Sequence, residues 1–252
     1  MKPPVPPCTE NGLNGSGKEN RCRLSAGDTL QNEGRHRAML IQHIGHAEFL
    51  IETESGVRIV TDPYDVSCGY PLRQVTADIA LVSHHHHDHD AVDNVKGRPL
   101  VIDTAGSFMP ENDLRVDAVR GYHDDAGGSK RGETLLFLIR TEGLRIVHLG
   151  DLGCPLDGEQ VKILKNPDIL MIPVGGFYTI DAGQAKETAE LLEARIILPM
   201  HYRTEYNRDW PISGPEEFLK LFGGEKICRG AEALRVTEKD MDCQPGIVVF
   251  KS

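Results

Sequence analysis

From residue 38 onward the chain alternates short apolar runs with polar breaks. Residues 39–41 are apolar, Gly45 interrupts the run, and 48–53 continues it with alternation. A period of two puts successive side chains on opposite faces of a strand. Ser55-Gly56 is a turn signal, and 57–60 reads as the return strand of a hairpin, ended by Asp62-Pro63. Residues 78–82 form a continuous apolar run between polar flanks, the mark of a buried strand. The same reasoning predicts strands at 100–102, 115–120, 135–139, 145–149, 169–173, 196–198 and 247–250. Helical spacing is confined to 159–165, 182–193 and 216–221. Hairpins come early, and strands alternate with helices later. This order predicts an α/β fold of two packed sheets with helices outside.

Residues 1–37 lack the pattern. Pro3, Pro4, Pro6 and Pro7 lead into a Gly, Asn, Ser and Glu-rich stretch with few apolar side chains. Such a composition cannot bury enough surface to offset the entropy of ordering. A disordered extension is predicted over 1–37 and one folded domain over 38–252. The net charge is −10, and because residues 1–37 carry six basic and four acidic side chains, the remainder carries −12. An acidic body repels polyanions, so nucleic acid is not the expected partner. The six cysteines form no Cys-x-x-Cys pair and read as thiols of a reducing compartment. No apolar run approaches the ~20 residues of a membrane span, and no secretory leader is legible. The expectation is a cytoplasmic protein without a membrane partner.

Chemistry concentrates in one place. Residues 84–90 hold five histidines and two aspartates directly after the strand at 78–82. Within them lies His-x-His-x-Asp-His, as His84, His86, Asp88 and His89. Imidazole and carboxylate are the ligands of Zn, Mn or Fe in open sites, and packing so many of them together without a metal is costly. The motif resembles the signature of the metallo-β-lactamase superfamily. That family's later ligands are matched in order by His123 in Gly-Tyr-His-Asp-Asp, Asp151 in His-Leu-Gly-Asp, and His201 in Pro-Met-His-Tyr. The resemblance runs from about Met39 to the C-terminus. Residues 175–181 and Pro-Met-His-Tyr are similar to a bacterial-type hydrolase group related to L-ascorbate phosphate lactonases and, more distantly, to phosphodiesterases acting on N-acyl phospholipids.

The resemblance implies a four-layer αββα sandwich with two mixed sheets and outer helices. It implies two divalent metal ions, Zn or Mn. One would be held by His84, His86 and His123, the other by Asp88, His89 and His201, with Asp151 bridging. It also implies that a hydroxide between the metals attacks the substrate, with Asp88 or Asp151 accepting a proton. His86 stands where relatives with diiron redox chemistry carry a carboxylate, so hydrolysis is expected. Asp62 is expected to orient a ligand histidine from behind. His46, after a glycine at a strand break, is a second such position. His43 and His148 read as structural, and His85 and His87 as facing away.

The substrate expected is a small anionic ester, a phosphodiester or phosphorylated lactone. Lys130 and Arg131, in the glycine-rich loop 127–132, would bind its charge. Tyr178 and Tyr202 stand on the substrate side of this reading, although tyrosines so placed more often serve packing. Two alternatives remain at this level: a nuclease-type phosphodiesterase, and a non-catalytic metal-binding protein. A homo-oligomer is left open.

Overall fold

The computed structural model describes residues 38–251 apart from 224, 225, 240 and 245. The extension predicted at 1–37 lies outside the described residues. Six strands make the first sheet: β1 (Met39–Gly45), β2 (Glu48–Glu52), β3 (Arg58–Thr61), β4 (Ile79–Leu81), β5 (Leu100–Ile102) and, from far along the chain, β13 (Leu234–Val236). Their spatial order is β13-β1-β2-β3-β4-β5. The eight-stranded second sheet contains β6 (Gly106–Glu111), β7 (Leu114–Tyr122), β8 (Glu133–Thr141), β9 (Leu144–His148), β10 (Ile169–Pro173), β11 (Ile196–Met200), β12 (Ile227–Ala231) and β14 (Ile247–Phe250). It runs β12-β14-β11-β10-β9-β8-β7-β6.

Both sheets are mixed, and the hydrophobic pattern tells the two kinds of strand apart. In antiparallel β1 the core takes alternate residues, Met39, Ile41 and His43. The central parallel strands β4, β10 and β11 are buried at every position, as strands covered on both faces must be. Inward side chains of both sheets meet in one core that includes Ile41, Phe49, Ile59, Phe137, Ile146 and Met171. The outer face of the second sheet is covered by α1 (Gly158–Leu164), α2 (Ala182–Leu192) and α3 (Pro215–Leu219) through Leu164, Ala185, Leu192 and Phe218. Over the first sheet, Val75, Ala77 and Val95 cover Val60 and Ala80. The layers are those of an αββα sandwich, with a thin outer layer on the first sheet built from loops and a 3₁₀ turn at Val92–Asn94.

Three strands, β6, β12 and β13, escaped the pattern. β6 pairs with β7 along the sheet edge but buries almost nothing, so no period-two signal exists to be read. β13 has three residues, too few to establish a period.

The strand directions decide where chemistry can sit. β1, β3 and β4 run one way within the first sheet, and β7, β9, β10 and β11 run one way within the second. Their carboxyl ends meet at one rim, where open α/β sheets place their ligands. The sheets are stitched there by three hydrogen bonds: His201 N–H to the His46 carbonyl (3.1 Å), Leu135 N–H to the Ser83 carbonyl (2.8 Å), and the His148 ring to the Ala47 carbonyl (3.0 Å).

Candidate metal centre

Each polar residue of the rim follows the last residue of a strand by one to three positions. His46 follows β1, Asp62 follows β3, His84 follows β4, His123 follows β7, Asp151 follows β9 and His201 follows β11. His46, Asp62 and His201 have φ of +53°, +40° and +50°. Non-glycine residues rarely adopt this left-handed region, and such strain concentrates where function holds it.

The carboxylate of Asp151 lies at the middle. Its Oδ2 is 3.2 Å from His123 Nε2 and 3.2 Å from His201 Nε2, and its Oδ1 is 3.4 Å from His89 Nε2. Donor atoms gather on either side of it. His84, His86 and His123 form one group, and Asp88, His89 and His201 another that also takes in His46. Within each group the donor atoms lie within 4.8 Å of one another. All seven residues expected as ligands are therefore brought together.

The cluster is set up to receive cations. His84 Nε2, His89 Nε2, His123 Nδ1, His201 Nδ1 and Asp151 Oδ1 are buried without a hydrogen-bond partner. A buried polar atom left unpaired costs about 1–3 kcal/mol, and the three that face the centre, His84 Nε2, His89 Nε2 and Asp151 Oδ1, fit a site whose lone pairs are completed by metal ions. The donor types, imidazole with carboxylate, suit Zn or Mn. Burial, with His89 adding, pushes the His84 ring down to about 3, and burial with His201 pushes His46 down to about 4. Both rings are neutral near pH 7 and keep a lone pair free.

Asp62 supports the cluster from behind. It is fully buried, and burial alone would raise its pKa, but the neighbouring His89 holds it below the ordinary value. Its Oδ1 accepts from Ser83 N–H (2.7 Å), while Oδ2 accepts from the Ser83 hydroxyl (2.8 Å) and His89 Nδ1 (3.0 Å). With Nδ1 engaged, His89 presents Nε2 to the cluster. Ser83, which fixes this geometry, carries no sequence signal of its own.

Other residues are sorted plainly. His43 donates to the His46 carbonyl (3.0 Å), and His148 accepts from Gly150 N–H (3.1 Å) while donating to Ala47. His85 and His87 are exposed and turned toward Asp90 and Ser67. Tyr202 is a correction: it is 3 % exposed and packs in the core under the helices, because the left-handed backbone at His201 (φ +50°) ends the strand's alternation and turns Tyr202 away from the face of Met200. It lines no open cleft.

Next to the cluster lies a polar cleft of about 380 Å³ lined by Asp124, Asp125, Lys130, Arg131, Phe177 and Tyr178, among others. Asp124 builds its wall. The Asp124 carboxylate accepts N–H bonds from Ala126, Gly128, Lys130 and Arg131 at 2.7–2.9 Å. Those four bonds outweigh the cost of its desolvation and bring it down to about 2. Lys130 Nζ is taken by Asp125 (2.6 Å), whereas the Arg131 guanidinium lies over the Tyr178 ring at 5.5 Å and no carboxylate pairs with it among the described residues. Tyr178 is 6.2 Å from Trp210, which is 5.2 Å from His46, so an aromatic wall joins cleft to cluster. Trp210 was not anticipated. Its signal was only that it is the chain's sole tryptophan. A cleft of about 430 Å³ at the β8–β9 turn carries no histidine and lies away from this chemistry.

Fold and site together define a metal-dependent hydrolase built on a two-sheet sandwich. Residues 40–201 match the family model of the beta-lactamase superfamily domain. The chain is 30 % identical to a UPF0173 metal-dependent hydrolase of Pyrococcus abyssi over 73 % of its own length and 92 % of that protein. A second UPF0173 metal-dependent hydrolase, from Thermococcus onnurineus, is 29 % identical with the same coverage. A crystal structure from Thermotoga maritima, described as a Zn-dependent hydrolase of the metallo-beta-lactamase superfamily, is 38 % identical, covering 84 % of this chain and 98 % of that one with a TM-score of 0.69. This chain belongs to the metallo-β-lactamase superfamily.

Proposed function

We propose that the chain is a dinuclear hydrolase that cleaves a small anionic ester, a phosphodiester or phosphorylated lactone. The observation that carries this reading is Asp151, whose single carboxylate reaches both His123 and His201 at 3.2 Å. A carboxylate so shared suits two metals rather than one. His84, His86 and His123 would hold the first; Asp88, His89 and His201 would hold the second. The Zn dependence ascribed to the Thermotoga maritima relative favours Zn, and the mixed imidazole–carboxylate set also admits Mn. When bound, such a pair supplies an activated water and polarises the group under attack.

The chain's own residues do the rest. Burial would raise Asp88, but His46 and His89 hold it well below the ordinary carboxylate range, and Asp151 is held low against burial by His201 and His89. Both stand as anions. Asp88 is partly exposed while Asp151 is not, so a proton leaving the site has its route over Asp88. Arg131, unpaired and stacked on Tyr178, would hold the substrate's anionic group, and Phe177 with Tyr178 would cover its apolar part. Lys130, engaged by Asp125, contributes less.

Two measurements test this. Protein purified without chelator should carry close to two equivalents of metal and turn over bis(4-nitrophenyl) phosphate; Asp151→Ala should lose both. A stoichiometry of one that added Zn or Mn leaves unchanged would overturn the dinuclear reading. Arg131→Ala should raise KM for anionic esters about tenfold or more, the worth of one charge-assisted bond, and leave neutral esters untouched. Lys130→Ala should change KM less than threefold. Equal effects on neutral and anionic esters would remove Arg131 from substrate recognition.

A further inference from the structure

His46 does more than stand behind the cluster. Its ring is 1 % exposed, Nδ1 has no hydrogen-bond partner, and the only polar side chain in reach of Nε2 among the described residues is the Asp88 carboxylate. Nε2 lies 3.3 Å from Asp88 Oδ2, and the ring centroid is 4.2 Å from that of His201 and 5.1 Å from that of His89. One donor atom each from His46, Asp88, His89 and His201 falls inside a 4.8 Å span. Four donors bound at about 2.0–2.2 Å to a single ion lie roughly 3.3–4.4 Å from one another, so a contraction of a few tenths of an ångström closes this group on an ion.

The backbone is committed to this placement. At φ +53° a residue with a Cβ costs about 1–2 kcal/mol. The strain is held because the His46 carbonyl accepts from both His201 N–H and the His43 ring. Gly45 before it admits no side chain, since a Cβ there would meet Tyr70 at 2.8 Å. Trp210 packs edge-on against the ring from another side. Were the ring needed only for packing, an apolar one would avoid burying an unpaired Nδ1, at a cost of about 1–3 kcal/mol, and would not aim a second nitrogen at the Asp88 carboxylate.

We propose that His46 is a fourth side-chain ligand of the metal held by Asp88, His89 and His201. This inference rests on the dinuclear reading and deepens it, because it makes the two sites unequal. One offers three imidazoles. The other offers three imidazoles and a carboxylate, and Asp151 is within reach of both. The second site therefore takes an ion of higher coordination number, a five- or six-coordinate one, and binds it more tightly. Fe, or Zn expanded to five-coordination, suits such a site of three imidazoles and a carboxylate.

The test is Co(II) titration of the full chain, with affinity measured by chelator competition and coordination number by visible absorption. His46→Asn keeps a residue that tolerates the left-handed backbone, and His46→Gly relaxes it and leaves a space for free imidazole. Wild-type protein should bind two equivalents. Both variants should keep one equivalent at wild-type affinity and weaken the other more than a hundredfold, beyond the 10–100-fold of a merely orienting residue. The weakened equivalent should absorb more strongly per cobalt, as ions of lower coordination number do, and added imidazole should restore His46→Gly toward wild type. The chelator-treated variants should melt no lower than chelator-treated wild type. Two equivalents with wild-type affinity and spectrum in both variants would overturn the proposal and leave His46 a stacking partner of His201. Fewer than two equivalents in the wild type would overturn the dinuclear reading instead.

Discussion

Asp62 shows how one buried carboxylate governs a site it does not enter. It is bonded to Ser83 twice and to His89 once, so it fixes a tautomer and aims a ring. Asp62→Asn retains the left-handed backbone tolerance of the position and one acceptor oxygen, yet places an amide N–H against a donor. We expect a 10–100-fold loss of metal affinity with an unchanged far-ultraviolet dichroism spectrum, measured by chelator competition. Unaltered affinity would mean that packing alone aims His89. Glu48, two residues beyond His46 on β2, is a different case. Burial pushes its carboxyl up to about 8 from 4.5, against the weak N–H bond from Tyr64 (3.4 Å). Between those values the folded chain holds a proton that the unfolded chain has released. Its contribution to stability is complete below about 4.5, falls as pH rises, and is gone above about 8. The slope is about 1.4 kcal/mol per pH unit. Glu48→Gln cannot titrate, so urea unfolding of chelator-treated protein should show the wild type losing a few kcal/mol relative to the variant between pH 5.5 and 8.5. Parallel curves would exclude a protonated Glu48.

At the scale of elements, two of the helices that hold the outer layer, α1 and α2, begin with matched caps. The Asp157 side chain accepts from Glu159 and Gln160 N–H, and Gln160 reaches back to the Asp157 N–H; Asp181 and Gln184 do the same for α2. Asp157→Ala should cost about 1 kcal/mol by urea unfolding, without altering metal content. A drop in metal content would show that α1 positions His123, through the bond from Gln160 to the Arg120 carbonyl (2.7 Å). Elements of this kind were legible from sequence, as was every strand buried at all positions, because burial writes a continuous apolar run into the residues. The parallel strands at 169–173 and 196–200 are unbroken apolar runs for the same reason. β6 was not legible, since an edge strand held by main-chain bonds leaves side chains free to vary. At the site, His84, His86, Asp88 and His89 were legible because four ligands share one loop. His46 and Trp210 join through space from remote segments, and no spacing rule links residue 46 to residue 201. Tyr202 misled because the left-handed turn at His201, which no spacing reveals, carries the next side chain into the core under the helices.

At the scale of the whole molecule, the cluster draws side chains from both sheets, and neither sheet alone supplies either donor group. His84, His86, Asp88 and His89 come from the first; His123, Asp151 and His201 come from the second. Bound ions would therefore hold the sheets together. Metal at a thousandfold excess over its dissociation constant contributes about 4 kcal/mol per site. For a domain of this size we expect chelation to lower the melting temperature by roughly 8–16 °C for each such site, with recovery on adding Zn or Mn. No change on chelation would mean that the sheets are held by their shared core and rim hydrogen bonds alone. No helix among the described residues is long and apolar enough to cross a membrane.

The position of Trp210 gives the chain an optical property. It is the sole indole in 252 residues, and it lies against His46 and His201 at 5.2 and 6.4 Å. Ions with partly filled d shells quench indole emission at such range, while Zn, with a filled shell, does not. The protein's own ultraviolet fluorescence thus distinguishes which kind of ion has entered, without a label and at every stage of a titration.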